Sequence, residues 1–137
     1  MITAIDANVV LDILTGSPKE IQNAQSAMLA AKKAGATIIS VVAYAEVAAQ
    51  FPSKVRANEF FLLLSCKVEQ LEEDVAFLGG QFFDEYKQRG GKRTRILADF
   101  LIAAHAQLNA DRILTRDARF FGPNFPHLKA VSPGDLI

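Results

Sequence analysis

Cysteine is nearly missing from this chain. The single Cys66 can form neither an internal disulfide nor a cysteine zinc cluster. It reads as a core or near-core residue in a reducing compartment. A basic excess is missing too, because fifteen Lys and Arg are matched by fifteen Asp and Glu. General nucleic-acid binders usually carry such an excess, so any handling of nucleic acid here must come from local arrangement or from bound cations. No uninterrupted apolar run is long enough to span a membrane. No signal peptide opens the chain, since Asp6 and Asp12 interrupt the first apolar stretch and no basic segment precedes it. These two absences lead us to expect a cytoplasmic protein with no membrane contact. Internal repeats, low-complexity tracts and Pro/Gly/Ser-rich linkers are absent as well.

What remains is an ordinary globular composition, half hydrophobic and 22% charged, over 137 residues. That length predicts one domain over 1–137 with a core that needs no staples. Apolar β-type runs alternate with helical patterns. Strands are expected at 2–5, 36–40, 67–71, 112–115 and 129–132. Helices are expected at 8–14, from Ser17 to Gly35, at 41–50, 53–65, 74–88 and 97–109. Ser17, Pro18 and Glu20 form a capping-box start. Strands separated by helices predict right-handed crossovers and a three-layer α/β/α sandwich around a mainly parallel sheet of about five strands.

Ligands of such sheets bind outside the carboxyl ends of the strands. Four acids sit near those ends. Asp6 closes the buried run "ITAI", Glu46 lies in "ISVVAYAEVAAQ", Asp99 opens the apolar helix "LADFLIAAHAQL", and Asp117 follows "RILT". Each has a plainer reading. Asp99 could be an acid favoured by a helix N-terminus, Asp117 a turn residue, and Glu46 a solvent-facing helix residue, although its apolar neighbours leave little polar face. Asp6 is the hardest to explain away, because a buried carboxylate is costly without a partner. Asn8 and Thr115 add neutral oxygens nearby.

Several carboxylates in one cleft need protons or a cation to relieve their repulsion. Oxygen ligands without a His or Cys cluster suit Mg²⁺ or Mn²⁺ rather than zinc. Such an ion would bridge carboxylate and phosphate and assist attack at phosphorus. It would also supply the positive field that the chain lacks.

The segments "IDANVVLDIL", "ISVVAYAEV", "ILADFLIAAHA" and "ILTRDARFF" resemble, in order, the four signature segments of PIN-domain ribonucleases. The likeness is closest to the small VapC-type toxins of toxin–antitoxin pairs and spans essentially the whole chain. It implies a PIN-like sandwich and Mg²⁺- or Mn²⁺-dependent endoribonuclease activity. It also implies metal ligation by Asp6, Glu46, Asp99 and Asp117. Asn8 matches a small polar residue that would hold the Asp6 carboxylate, and Thr115 matches a hydroxyl position near the fourth acid. Ala7 departs from the pattern, where many relatives carry Ser or Thr. Asp12 recurs in some relatives and is read as support behind the site or as a surface charge. The implied hydrolysis releases a 3′ oxygen and needs no 2′-hydroxyl nucleophile, so RNA preference must come from shape and single-strandedness. The resemblance further implies a homodimer and a small VapB-like antitoxin that blocks the cleft.

Phosphate contacts are expected from basic residues at the mouth. Arg116 and Arg119 flank Asp117, and Lys92, Arg93 and Arg95 precede Asp99. Arg116 ranks first because it touches the motif. A plain solvated loop is the competing reading for 90–95. His105 and His127 read as structural or surface residues. The helix at 53–64, with Phe60, Phe61, Leu62, Leu63 and Leu64, carries more apolar surface than one face can bury, which suits a dimer or antitoxin groove. Two other functions compete. One is a non-catalytic PIN-like RNA-binding module, which would be expected to have lost an acid. The other is a Mg²⁺-binding receiver-like domain, whose paired first acids and strand-end Lys are not found.

Overall fold

The computed structural model describes residues 1–137. Five parallel strands form one sheet: β1 (Ile2–Ile5), β2 (Ala36–Ser40), β3 (Cys66–Glu69), β4 (Arg112–Leu114) and β5 (Ala130–Val131). Their order is β3-β2-β1-β4-β5. The chain builds outward from β1 on one side, then returns to build outward on the other. The carboxyl ends of β1 and β4 therefore flank the point where the winding reverses, which is where a crevice opens in sheets of this kind. A receiver-like sheet would set its third strand beside the first. Here β1 lies between β2 and β4, so that alternative fails on topology.

Eight helices cover the sheet in an α/β/α sandwich: α1 (Ala7–Thr15), α2 (Pro18–Ala34), α3 (Val41–Ala48), α4 (Lys54–Leu64), α5 (Glu73–Gln88), α6 (Leu97–Asn109), α7 (Ala118–Asn124) and α8 (Pro133–Leu136). Both sheet faces are apolar, as parallel strands require. Ala4, Ile5, Ile38, Ile39, Ile113 and Leu114 are all buried in one core. None of the helices is long and apolar enough to cross a membrane.

Local chemistry explains most element ends. Ser17 Oγ accepts from the Glu20 N–H at 3.2 Å, while Glu20 Oε1 accepts from the Ser17 N–H at 2.9 Å. This closes the expected capping box on α2. Ser40 and Ser53 cap α3 and α4 in the same way, each accepting at 3.2 Å. α5 and α6 lie close because Gly79 faces Leu101. A Cβ at Gly79 would stand 3.1 Å from the Leu101 Cα. Behind that contact Phe100 is packed by Phe83, Tyr86, Phe120 and Phe125, with centroids 5.1–5.9 Å apart. This aromatic cluster seats α5, α6 and α7 beneath the carboxyl ends of the strands.

The strand limits differ from expectation where pairing runs out. β3 starts at Cys66 and stops at Glu69, because its partner β2 ends at Ser40, opposite Glu69, as α3 begins. β5 shortens to two residues. α7 and α8 were not expected: "GPN" reads as a break, yet Pro123 lies inside α7, and "PGDL" is a single turn whose Ser132 N–H donates to Asp135 at 2.8 Å.

Candidate active site

β1 delivers Asp6 to the reversal point. Its backbone N–H still donates to Leu114 O at 3.0 Å, so the ladder with β4 continues to the residue that carries the acid. The side chain is only 7% exposed. Thr115 Oγ1 donates to Asp6 Oδ2 at 2.7 Å and accepts from the Asp117 N–H at 2.9 Å. One buried hydroxyl thus joins the first acid to the backbone of the last. Asn8 sits on the same seam. Its Oδ1 accepts from the Arg116 N–H at 3.1 Å, and its Nδ2 approaches Thr115 Oγ1 at 3.4 Å. Asn8 therefore steadies the turn after β4 and does not hold the Asp6 carboxylate directly.

The carboxyl of Asp6 is pushed up from an ordinary 3.8 to about 6. Burial is the main cause, reinforced by the charges of Asp99 and Asp117 and opposed by the bonds from Thr115 and the Ala7 backbone. Glu46, on α3, also has its pKa raised, by desolvation first and then by Asp6 and Asp99. The acids from the ends of β1, β2 and β4 and from the start of α6 thus share one field. Glu46 is exposed nonetheless. α3 buries only Ala43 and Val47, so small alanines leave it the polar face that the sequence seemed to deny.

Asp99 combines two roles. Its charge acts on Asp6 and Glu46, and its Oδ2 accepts from the Ile96 N–H at 3.2 Å at the head of α6. Asp117 is more tightly engaged. Arg95 donates to its Oδ2 at 2.6 Å, and the same guanidinium lies 3.7 Å over the ring of Phe120. The donor set is all oxygen, as a hard dication requires, and it carries more negative charge than its surroundings neutralise. As they stand, however, the carboxylates do not form a closed group of three donors, and Asp117 is turned to Arg95.

The other basic candidates are divided. Arg116 points away from the acids. Its Nε binds Asp12 at 2.8 Å, and Nη1 lies 4.0 Å from Glu20. Asp12 is accordingly no surface charge: it is 7% exposed, because α1 turns that face inward. Its pKa is raised by burial, against the pull of Arg116. Arg119, Lys92 and Arg93 are exposed and have no carboxylate within 4.0 Å. His105 is buried with Nε2 at 2.8 Å from Glu69 Oε1, a structural pair at the end of β3. His127 lies exposed between α7 and β5.

The family model described as PIN domain matches residues 3–123. Among solved structures, VapBC2 from Rickettsia felis, bound to a promoter DNA fragment, matches with TM-score 0.70 and 22% identity, over 96% of this chain and 98% of that one. VapBC-1 from nontypeable Haemophilus influenzae matches with TM-score 0.71 and 21% identity, over 98% and 99%. FitAcB from Neisseria gonorrhoeae matches with TM-score 0.68 and 21% identity, over 99% and 100%. A search of curated proteins finds no match.

Proposed function

The chain belongs to the PIN-domain family, and from that membership we propose that it is a Mg²⁺- or Mn²⁺-dependent endoribonuclease, the toxin of a toxin–antitoxin pair. The observation that carries this reading is the buried Asp6. A carboxylate raised to about 6 by burial and by two other acids is poised to exchange its proton for a cation.

Asp6, Glu46, Asp99 and Asp117 would hold the ion, with Arg95 releasing Asp117. Such an ion would supply an activated water and neutralise charge developing on the phosphate. The chain's own residues supply position. Thr115 fixes the Asp6 oxygen and the Asp117 backbone together, and Asn8 locks the turn between them. Ile96 N–H holds Asp99. Arg95, once free of Asp117, would offer a cation beside the acids.

An antitoxin partner and a homodimer are part of the same proposal. Leu62 and Leu63 are 78% and 84% exposed on α4. Leu63 and Leu64 line a shallow groove with Ile13, Met28 and Leu29. This apolar face has no cover within the monomer. The fold is shared with chains of VapBC and FitAB assemblies.

The decisive experiment expresses wild type and Asp6→Asn with and without the neighbouring open reading frame. Growth arrest and discrete RNA fragments are expected for wild type alone, relieved by the neighbour. Equal toxicity of Asp6→Asn would sink the assignment. In vitro, cleavage should need Mg²⁺ or Mn²⁺ and stop in EDTA.

A further inference from the structure

A cavity of about 500 Å³ opens between the end of α5 and the loop that leads to α6. Four cations line it, Lys87, Lys92, Arg93 and Arg95, against the rings of Phe83 and Tyr86. No acid is among its lining residues. Of the four cations, only Arg95 has a carboxylate within 4.0 Å, and that carboxylate is Asp117. In a chain with as many acids as bases, three unneutralised charges converge on one concavity. Such a concentration of one sign raises the local concentration of anions.

The loop is not merely solvated. The Lys92 N–H donates to Tyr86 Oη at 2.9 Å, and the Gly91 N–H donates to Tyr86 O at 2.9 Å. Gly91 rests on the Tyr86 ring so closely that a Cβ there would stand 2.3 Å from a ring carbon. Tyr86 is itself buried and packs on Phe100 and Phe120. Lys87 is drawn over the Phe83 ring, 4.5 Å from its centroid. The loop backbone that carries Lys92 and Arg93 is therefore anchored on a buried aromatic residue. Arg95 joins the cavity to the acid cluster, because it lines the one and grips the other.

We propose that this cavity binds the phosphodiester backbone of single-stranded RNA next to the scissile phosphate. The volume is in the range of ligand sites, and fixed Lys and Arg groups suit phosphate oxygens. Lys and Arg groups act on phosphate charge, so the contact reads the backbone and not base identity. This inference deepens the ribonuclease reading and rests on it for the identity of the strand.

The test is equilibrium binding of a ten-nucleotide mixed-sequence RNA in EDTA, where metal-dependent cleavage is idle. Wild type is compared with Lys87→Ala/Lys92→Ala/Arg93→Ala and with the control Lys33→Ala/Lys129→Ala, just before the amino ends of β2 and β5. All five side chains are exposed, and melting curves confirm folding. The triple variant should lose on the order of tenfold in affinity at low salt, with the slope of log K against log salt reduced by about 2. The loss should be equal for oligomers of different sequence, and the control should behave as wild type. No RNA binding by wild type, or an unchanged slope in the triple variant, would overturn the proposal. So would a triple variant that loses antitoxin binding while keeping RNA binding. If the triple variant loses binding but wild type with Mn²⁺ never cleaves RNA, the nuclease reading fails and the cavity stands. Cleavage by wild type with unchanged RNA binding in the triple variant is the reverse.

Discussion

The guanidinium of Arg95 reaches the Asp117 carboxylate at 2.6 Å while it lies 3.7 Å over the ring of Phe120. The protein thus supplies its own counter-ion to a proposed metal ligand. A dication and this arginine compete for one carboxylate. Arg95→Ala should therefore bind Mn²⁺ more tightly than wild type in calorimetry. Both partners are about a third exposed, so solvent screening limits the gain to about 1 kcal/mol, roughly fivefold. Weaker Mn²⁺ binding in the variant would show that Arg95 helps to build the site and does not block it.

Asp6 makes stability depend on pH in an unusual direction. Its folded pKa of about 6 lies above the ordinary 3.8, so the folded chain holds that proton more tightly than the unfolded chain. Its contribution is complete below pH 4 and is lost as pH rises through 6, by up to about 3 kcal/mol. In EDTA the melting temperature of wild type should fall by several degrees between pH 5 and pH 7.5. Asp6→Asn should flatten that profile and melt higher at neutral pH. Mn²⁺ should restore wild type at pH 7.5 and leave Asp6→Asn unchanged.

Thr115 is fully buried and bonded on both sides. Thr115→Val keeps the shape but strands the Asp117 N–H and removes the donor to Asp6. A cost of about 1–3 kcal/mol is expected. The Asp6 pKa should climb further, because the lost bond is one that lowered it. Thr115→Ser keeps the hydroxyl and should recover most of both effects. Chemical denaturation and Mn²⁺ titration at pH 7 measure them separately.

Arg116→Ala separates structure from substrate contact. Arg116 is committed to Asp12 and Glu20, so removing it leaves a nearly buried acid without its cation. The expected result is a loss of stability of about 1–2 kcal/mol with KM for RNA unchanged. A raised KM at unchanged stability would instead restore Arg116 as a phosphate contact.

The contrast between Arg116 and Arg95 shows where the sequence was legible. Asp6, Glu46, Asp99 and Asp117 stood out because each lies in or beside an apolar run at a predictable place in a strand–helix unit. The start of α2 was readable because Ser17 and Glu20 act over three residues. Adjacency in sequence favoured Arg116, but the backbone aims its side chain toward α1, where Asp12 waits. Arg95 reaches Asp117 only because the aromatic cluster seats α6 against α7, and no local pattern encodes that. The two readings of Asp12 could not be separated for the same reason, since its partner Arg116 lies far along the chain. The weak signals of β5 and α8 reflect short elements held by pairing with β4 and by single caps rather than by periodicity.

The bond between Asp6 and Thr115 spans 109 positions, nearly the length of the protein. At usual synthesis rates, about 5–20 s separate the emergence of the two residues. Throughout that interval the nascent polypeptide possesses its first acid but not the hydroxyl that aims it. The acid cluster therefore comes together only after the segment carrying Thr115 and Asp117 has been made.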